Sequence, residues 1–203
     1  MSKSDFIFNT WGGGGGSTWS VNENGLQVTG INNNGNLFFG NNKSDYTLNT
    51  KFKLGENTGE IGGLGIFFET ALNGDSQNRD TGYILQFDRG FSEVVLRKRV
   101  NGSESSTQGG EILFRIGNRS TSTIKNESIP YKTNNAWWES EKNVVLTVSD
   151  SGTPGKKFLT VSLDGSVLVS DLIIDSAIEP DYNHTGFRAW NNQPATIYEM
   201  SVE

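Results

Sequence analysis

The chain has 203 residues, no cysteine and a formal net charge of −6. A single all-β domain accommodates that length, and a chain of this size buries roughly 70% of its unfolded surface without disulfides. The missing cysteine excludes thiol catalysis, zinc–thiolate sites and iron–sulfur ligation, and an acidic chain with no basic cluster argues against nucleic acid as a partner.

Asp5–Asn9 is a short first strand, and the five glycines Gly12–Gly16 read as a loop between Trp11 and Trp19. Trp19-Ser20-Val21 pairs with Leu26–Thr29 around the turn signal Glu23-Asn24-Gly25. Asn32–Gly35 makes another turn before Leu37-Phe38-Phe39. In Tyr46–Leu54, Tyr46, Leu48, Thr50, Phe52 and Leu54 alternate with Thr47, Asn49, Lys51 and Lys53, the pattern of a strand with one buried face.

Gly63–Val100 is the centre of the chain and reads as three consecutive strands, Leu64–Ala71, Gly82–Asp88 and Glu93–Val100. The first connection, Asn73–Asp80, is polar and rich in side-chain oxygen, and the second, Arg89-Gly90, is short enough for a tight turn. Alternation puts Arg97 and Arg99 on one face and Lys98 on the other, a pattern expected of solvated strand positions.

Asn101-Gly102-Ser103 turns the chain into a strand at Gly109–Asn118. Ser120–Asn135 is a long loop or irregular edge, and Trp137-Trp138 opens a strand that runs through Val148. Asp164-Gly165 between Phe158–Leu163 and Ser166–Ser170 specifies a two-residue type I′ hairpin, which Leu172–Ile174 continues. Gly186–Trp190, the loop Asn191–Pro194 and Ala195–Val202 close the chain. About a dozen strands and no helix beyond a single turn at Asp175–Glu179 predict one all-β domain over 1–203. Its class is a two-sheet antiparallel β-sandwich of the jelly-roll kind.

Several of these features follow one another in a familiar order. They are the aromatic opening strand (Phe6, Phe8), Trp19-Ser20-Val21 with Asn24-Gly25-Leu26, Gly82–Leu85, the hairpin Leu163-Asp164-Gly165, and the closing Thr185–Trp190. In that order the chain resembles the concanavalin A-like lectin/glucanase superfamily in its laminin G-like and carbohydrate-binding-module forms. The resemblance covers nearly the whole chain and implies a concanavalin A-like fold with a sugar site on one sheet or its rim loops, sometimes with calcium. It implies fold more than function, because this sandwich hosts lectins, glycosidases, adhesins and structural domains alike.

Catalysis is not expected. A glycosidase needs two carboxylates about 5–5.5 Å or 6.5–9.5 Å apart. The glucanases of the superfamily resemble one another in a Glu-x-Asp-x-x-Glu strand that this chain lacks, and Glu139-Ser140-Glu141 is its nearest acidic pair. Neither a Gly-x-Ser-x-Gly elbow nor a phosphate loop is present.

Sugar recognition combines an aromatic ring with amide, acid and guanidinium groups. Trp190 with Arg188, Asn191 and Asn192 is the leading candidate set, followed by Trp137, then Tyr182 and His184, with Asp88 and Arg89 as rim contacts. For calcium, which takes six to eight oxygens, the candidates are Asn73, Asp75, Asn78 and Asp80. The expected partner is a glycan or cell-surface polysaccharide bound by a non-catalytic, extracellular or surface domain.

No stretch approaches the roughly 20 apolar residues of a membrane span, and Met1–Ser4 opens no apolar run of the kind a signal peptide carries. Either the protein is cytosolic or the chain is a mature or recombinant fragment, and its Asn/Thr/Ser/Gly-rich composition favours a fragment of an exported bacterial or phage-type protein. A second reading is a structural or adhesive subunit of a pilus or other filament that self-assembles through sheet edges. A third is a diverged glycosidase.

Overall fold

The computed structural model describes residues 7–10, 18–29, 35–41, 43–56, 59, 61–72, 80–117, 129–176 and 183–203. Two antiparallel seven-stranded sheets face each other. In spatial order the first contains β1 (Ile7–Thr10), β4 (Gly35–Gly40), β13 (His184–Trp190), β6 (Gly63–Leu72), β7 (Asp80–Asp88), β8 (Glu93–Arg99) and β9 (Glu111–Gly117). The second contains β12 (Ser166–Asp175), β11 (Lys156–Leu163), β10 (Glu141–Asp150), β5 (Tyr46–Leu54), β14 (Ala195–Val202), β3 (Gly25–Thr29) and β2 (Thr18–Asn22). The last two strands each insert between earlier ones, β13 between β4 and β6 and β14 between β5 and β3. The sandwich is thereby closed by its C-terminus.

The core lies between the sheets, and period-two alternation builds it. On β5, Tyr46, Leu48, Thr50, Phe52 and Leu54 are buried while Thr47, Asn49 and Lys51 are half-exposed, as the sequence pattern requires. Leu64, Ile66 and Phe68 of β6, Tyr83, Leu85 and Phe87 of β7 and Phe187 of β13 meet them from the other sheet. Phe52 and Phe87 pack edge-to-face with centroids 4.9 Å apart. At the β11–β12 hairpin, Asp164 and Gly165 have φ of 50° and 80°, the two left-handed residues a type I′ turn demands.

Three features differ from the sequence reading. Trp137 and Trp138 do not open a strand. They end a single helical turn, α1 (Asn135–Trp138), capped by the Asn134 side chain, which accepts from Trp137 N. Trp138 enters the core at 1% exposure, and its Nε1 donates to the carbonyl of Tyr131. Arg89-Gly90 is not a two-residue turn either. Arg89–Phe91 is a 3-10 turn that starts on the Asp88 side chain and ends on left-handed Ser92. The strands number fourteen among the described residues rather than about a dozen.

The two sheets also differ in how they meet their surroundings. Strands β5 and β10 alternate buried and half-exposed residues, whereas β6, β7 and β13 are buried almost throughout. The outer face of the first sheet is therefore itself covered, and a second apolar cluster of Phe38, Phe67 and Ile84 lies there. Polar groups enclosed on such a face need partners.

Candidate functional site

Strand register arranges that outer face in transverse rows. One row runs Asn36, Arg188, Gly65, Gln86, Val95, Arg115 across β4, β13, β6, β7, β8 and β9. The next, toward the Asn191 turn, runs Trp190, Gly63, Asp88, Glu93, Gly117. The row on the other side runs Phe38, Gly186, Phe67, Ile84, Arg97. Successive rows are about 7 Å apart, because alternate residues of a strand share a face.

Glu104, from the β8–β9 connection, gathers these rows. Its Oε1 accepts from Gln86 Nε2 at 2.9 Å, from Arg99 Nη1 at 2.6 Å and from Arg188 Nη1. Its Oε2 lies 3.4 Å from Arg97 Nε, which also donates to Gln86 Oε1 at 2.8 Å. Burial alone would push the Glu104 carboxyl up, but Arg188, Arg99 and Arg97 outweigh it and hold the group below its ordinary value. Arg115 Nε lies 2.8 Å from Glu93 Oε2, and Arg99 is bound to Asp80 at 2.5 Å and 3.4 Å. The strand arginines Arg97 and Arg99 are thus not solvated as expected; Arg99 is 1% exposed. Its guanidinium also lies 5.6 Å from the centre of the Phe67 ring.

The arrangement leaves some members in reach of solvent and others deep. Side-chain exposure is 24% at Glu104, 15% at Arg97 and 11% at Arg115. Trp190, 8% exposed, lies against Gly63 with the Arg188 guanidinium 5.3 Å from its ring centre. It therefore forms a wall of the site rather than an open stacking platform. Asn36 is 1% exposed, and neither end of its carboxamide has a hydrogen-bond partner among the described residues.

The residues expected from sequence are dispersed. Trp190, Arg188 and Asp88 share the outer face, and Asn191 and Asn192, with φ of 51° and 56°, form the exposed turn that follows Trp190. Gln193 secures that turn, its Nε2 donating to the carbonyls of Gly55 and Pro194. His184 opens β13, six residues before Trp190 and so roughly 20 Å away along the strand.

Arg89 is fully buried and serves as a staple. It donates to Lys132 O, Glu139 Oε1 and Asn135 Oδ1, tying the 3-10 turn to α1. Asp88 accepts from Phe91 N. Trp137 is half-buried at the edge of the core, with Lys142 Nζ 4.3 Å from its ring centre. Tyr182, Asn73, Asp75 and Asn78 lie outside the described residues, as does the run Gly12–Gly16.

Asp80, the remaining candidate for calcium, does not fit an ion site as it stands, because both carboxylate oxygens are bound to Arg99. Among the described residues no group of three or more His, Cys, Asp or Glu side chains is placed to hold a metal ion.

Sequence reasoning missed Asn36, Gly63, Gly65, Gln86, Arg97, Arg99 and Glu104. The alternation of Gln86 with Leu85 and Phe87, and of Arg97 with Leu96, marked one face of each strand as polar. Only the cross-strand register makes those faces adjoin.

No protein-family profile and no curated protein matches the chain. Solved structures do. The carbohydrate-binding module CBM66 from Bacillus subtilis is 13% identical, with a TM-score of 0.57 over 98% of this chain and 95% of that one. The carbohydrate recognition domain of Emp46p, in a potassium-bound form, is 13% identical, with a TM-score of 0.64 over 98% and 88%. The exoplasmic/lumenal domain of VIP36, in a Ca2+/Man3GlcNAc-bound form, is 10% identical, with a TM-score of 0.59 over 100% and 84%. These likenesses show the fold alone: a two-sheet antiparallel β-sandwich of the kind these carbohydrate-binding and lectin domains have.

Proposed function

We propose that this protein is a non-catalytic recognition domain that binds carbohydrate on the outer face of its first sheet. The observation that carries the reading is the convergence of Gln86, Arg97, Arg99 and Arg188 on Glu104, beside Trp190, on a sheet face rather than in the core. Such a set offers charge-assisted acceptors and donors at fixed positions, which is how hydroxyl-rich ligands are oriented. The fold adds support, since solved structures that share it include carbohydrate-binding modules and lectins. An exported or surface-exposed location belongs to the same proposal.

The test is a glycan array probed with the intact chain, with and without a chelator, alongside Glu104→Ala. Binding that the substitution abolishes supports the reading. Loss of binding with chelator alone would show that binding requires a divalent ion. A blank array across plant, microbial and host glycans overturns the reading.

A second reading, self-assembly through a sheet edge, is favoured by Val167 and Ile173. They are 62% and 57% exposed on β12, an outermost strand of the second sheet. Concentration-dependent association in solution would support it.

A further inference from the structure

The outer face of the first sheet carries four guanidinium groups, yet it offers little to an anion. Among the described residues Arg97, Arg99, Arg115 and Arg188 stand against Asp80, Asp88, Glu93 and Glu104, four positive charges against four negative. Each arginine already lies within ion-pair distance of a carboxylate of this same face. A ligand carboxylate or sulfate would compete with Glu104 for guanidinium groups that Glu104 already holds. It would also sit beside that ionised group, and a like charge in a partly dehydrated site is strongly disfavoured.

Asn36 points the same way by different chemistry. It sits next to Arg188 in its row and is 1% exposed, with both Oδ1 and Nδ2 unpartnered among the described residues. Burying such an amide unpaired is costly, which marks it for a partner that the described residues do not supply. A hydroxyl group satisfies both ends of a carboxamide, donating to one and accepting from the other. A carboxylate or sulfate only accepts, and would leave Oδ1 unsatisfied and facing negative charge.

Resting on the carbohydrate reading above, we infer that the site selects an uncharged saccharide over its acidic counterparts. Hydroxyls of that saccharide meet Glu104, Arg97 and Asn36. The recognition is that of a polyol by a neutralised acid–guanidinium lattice, not that of an anion by a basic patch.

The experiment measures binding of the intact chain to neutral oligosaccharides and to the uronic-acid and sulfated members of the same backbone series, at matched ionic strength. The expected result is binding to a neutral member at least tenfold tighter than to its acidic counterparts. Tighter binding of an acidic member overturns the inference while leaving the carbohydrate reading standing. No binding to either set overturns the carbohydrate reading and the inference with it.

Two variants sharpen the outcome. Glu104→Gln takes the nearest carboxylate from Arg97 and Arg188, while Arg99 keeps Asp80 and Arg115 keeps Glu93, and is expected to shift preference toward the sulfated member, with a strong salt dependence. An unchanged preference in a folded Glu104→Gln protein counts against the inference. Asn36→Leu is expected to lower affinity about tenfold while the melting temperature holds or rises, because an apolar side chain of similar volume removes an unsatisfied amide. A lower melting temperature with unchanged affinity would make Asn36 a structural residue and remove it from the site.

Discussion

The ring of Trp190 lies over the α-carbon of Gly63. A β-carbon at Gly63 would stand 2.6 Å from Cζ2 and 2.8 Å from Cη2 of the indole, and 2.1 Å from the carbonyl oxygen of Phe87. β6 therefore carries glycine where β13 carries its tryptophan, and the backbone itself becomes part of the site. Gly63→Ala is expected to destabilise the fold by about 1–3 kcal/mol through overpacking and to displace the indole. Thermal unfolding should show a loss of roughly 2–4 °C per kcal/mol, accompanied by altered tryptophan fluorescence. An unchanged melting temperature and spectrum would mean that both the ring and the Phe87 carbonyl give way freely.

Arg89 was expected at the rim of the ligand site, but its guanidinium is spent on Lys132, Asn135 and Glu139. Arg89→Met should cost about 2–3 kcal/mol, toward the lower end for a broken buried pair because Glu139 keeps 24% side-chain exposure. Glycan binding by the folded variant should be unchanged. Chemical denaturation read beside an affinity measurement checks both halves. Lost affinity in a stable protein would return Arg89 to the ligand.

Glu69 supplies a pH dependence of definite sign. It sits in the β6 bulge with φ of 45°, 2% exposed, its carboxylate accepting from Ser176 Oγ at 2.6 Å and Asn183 Nδ2 at 2.9 Å. Burial pushes its carboxyl above the ordinary 4.5, and the hydrogen bonds and Lys157 offset this only in part. The folded chain therefore holds this proton more tightly than the unfolded one. The stability it contributes is present below pH 4.5 and is lost as pH rises through the folded value. Glu69→Gln should remove that downward slope in urea unfolding carried out between pH 4.5 and 7. Parallel curves for the two proteins would refute the assignment.

Asp175 works in the opposite direction. Lys156 and Lys98 hold its carboxyl down to about 2 from 3.8, so its contribution is present above pH 3.8 and fades as pH falls toward 2. The side chain is 47% exposed, so Asp175→Asn should cost less than about 1 kcal/mol, and less still in high salt. Acid unfolding at two ionic strengths measures this. A larger, salt-independent loss would contradict a screened surface pair.

Local rules reached far into this fold. Alternation in Tyr46–Leu54 identified which residues of β5 face the core, and Asp164-Gly165 identified a turn whose two left-handed residues the structure contains. The helical turn at Trp137-Trp138 escaped because four residues carry no readable period and the Asn134 cap looks like any other polar loop residue. The site was legible only in pieces. Trp190, Arg188 and Asp88 belong to its face, whereas His184, a separate candidate named with Tyr182, lies at the far end of the strand.

The sequence by itself determined that this chain is an all-β sandwich, because period-two burial and two-residue turns are written residue by residue. Tertiary structure alone decided which polar faces meet. Arg188 and Glu104, separated by 84 positions, touch only because β13 enters the sheet between β4 and β6 while the β8–β9 connection carries Glu104 back over it. Long-range register is set by the packing of whole strands against one another, and no local pattern encodes it.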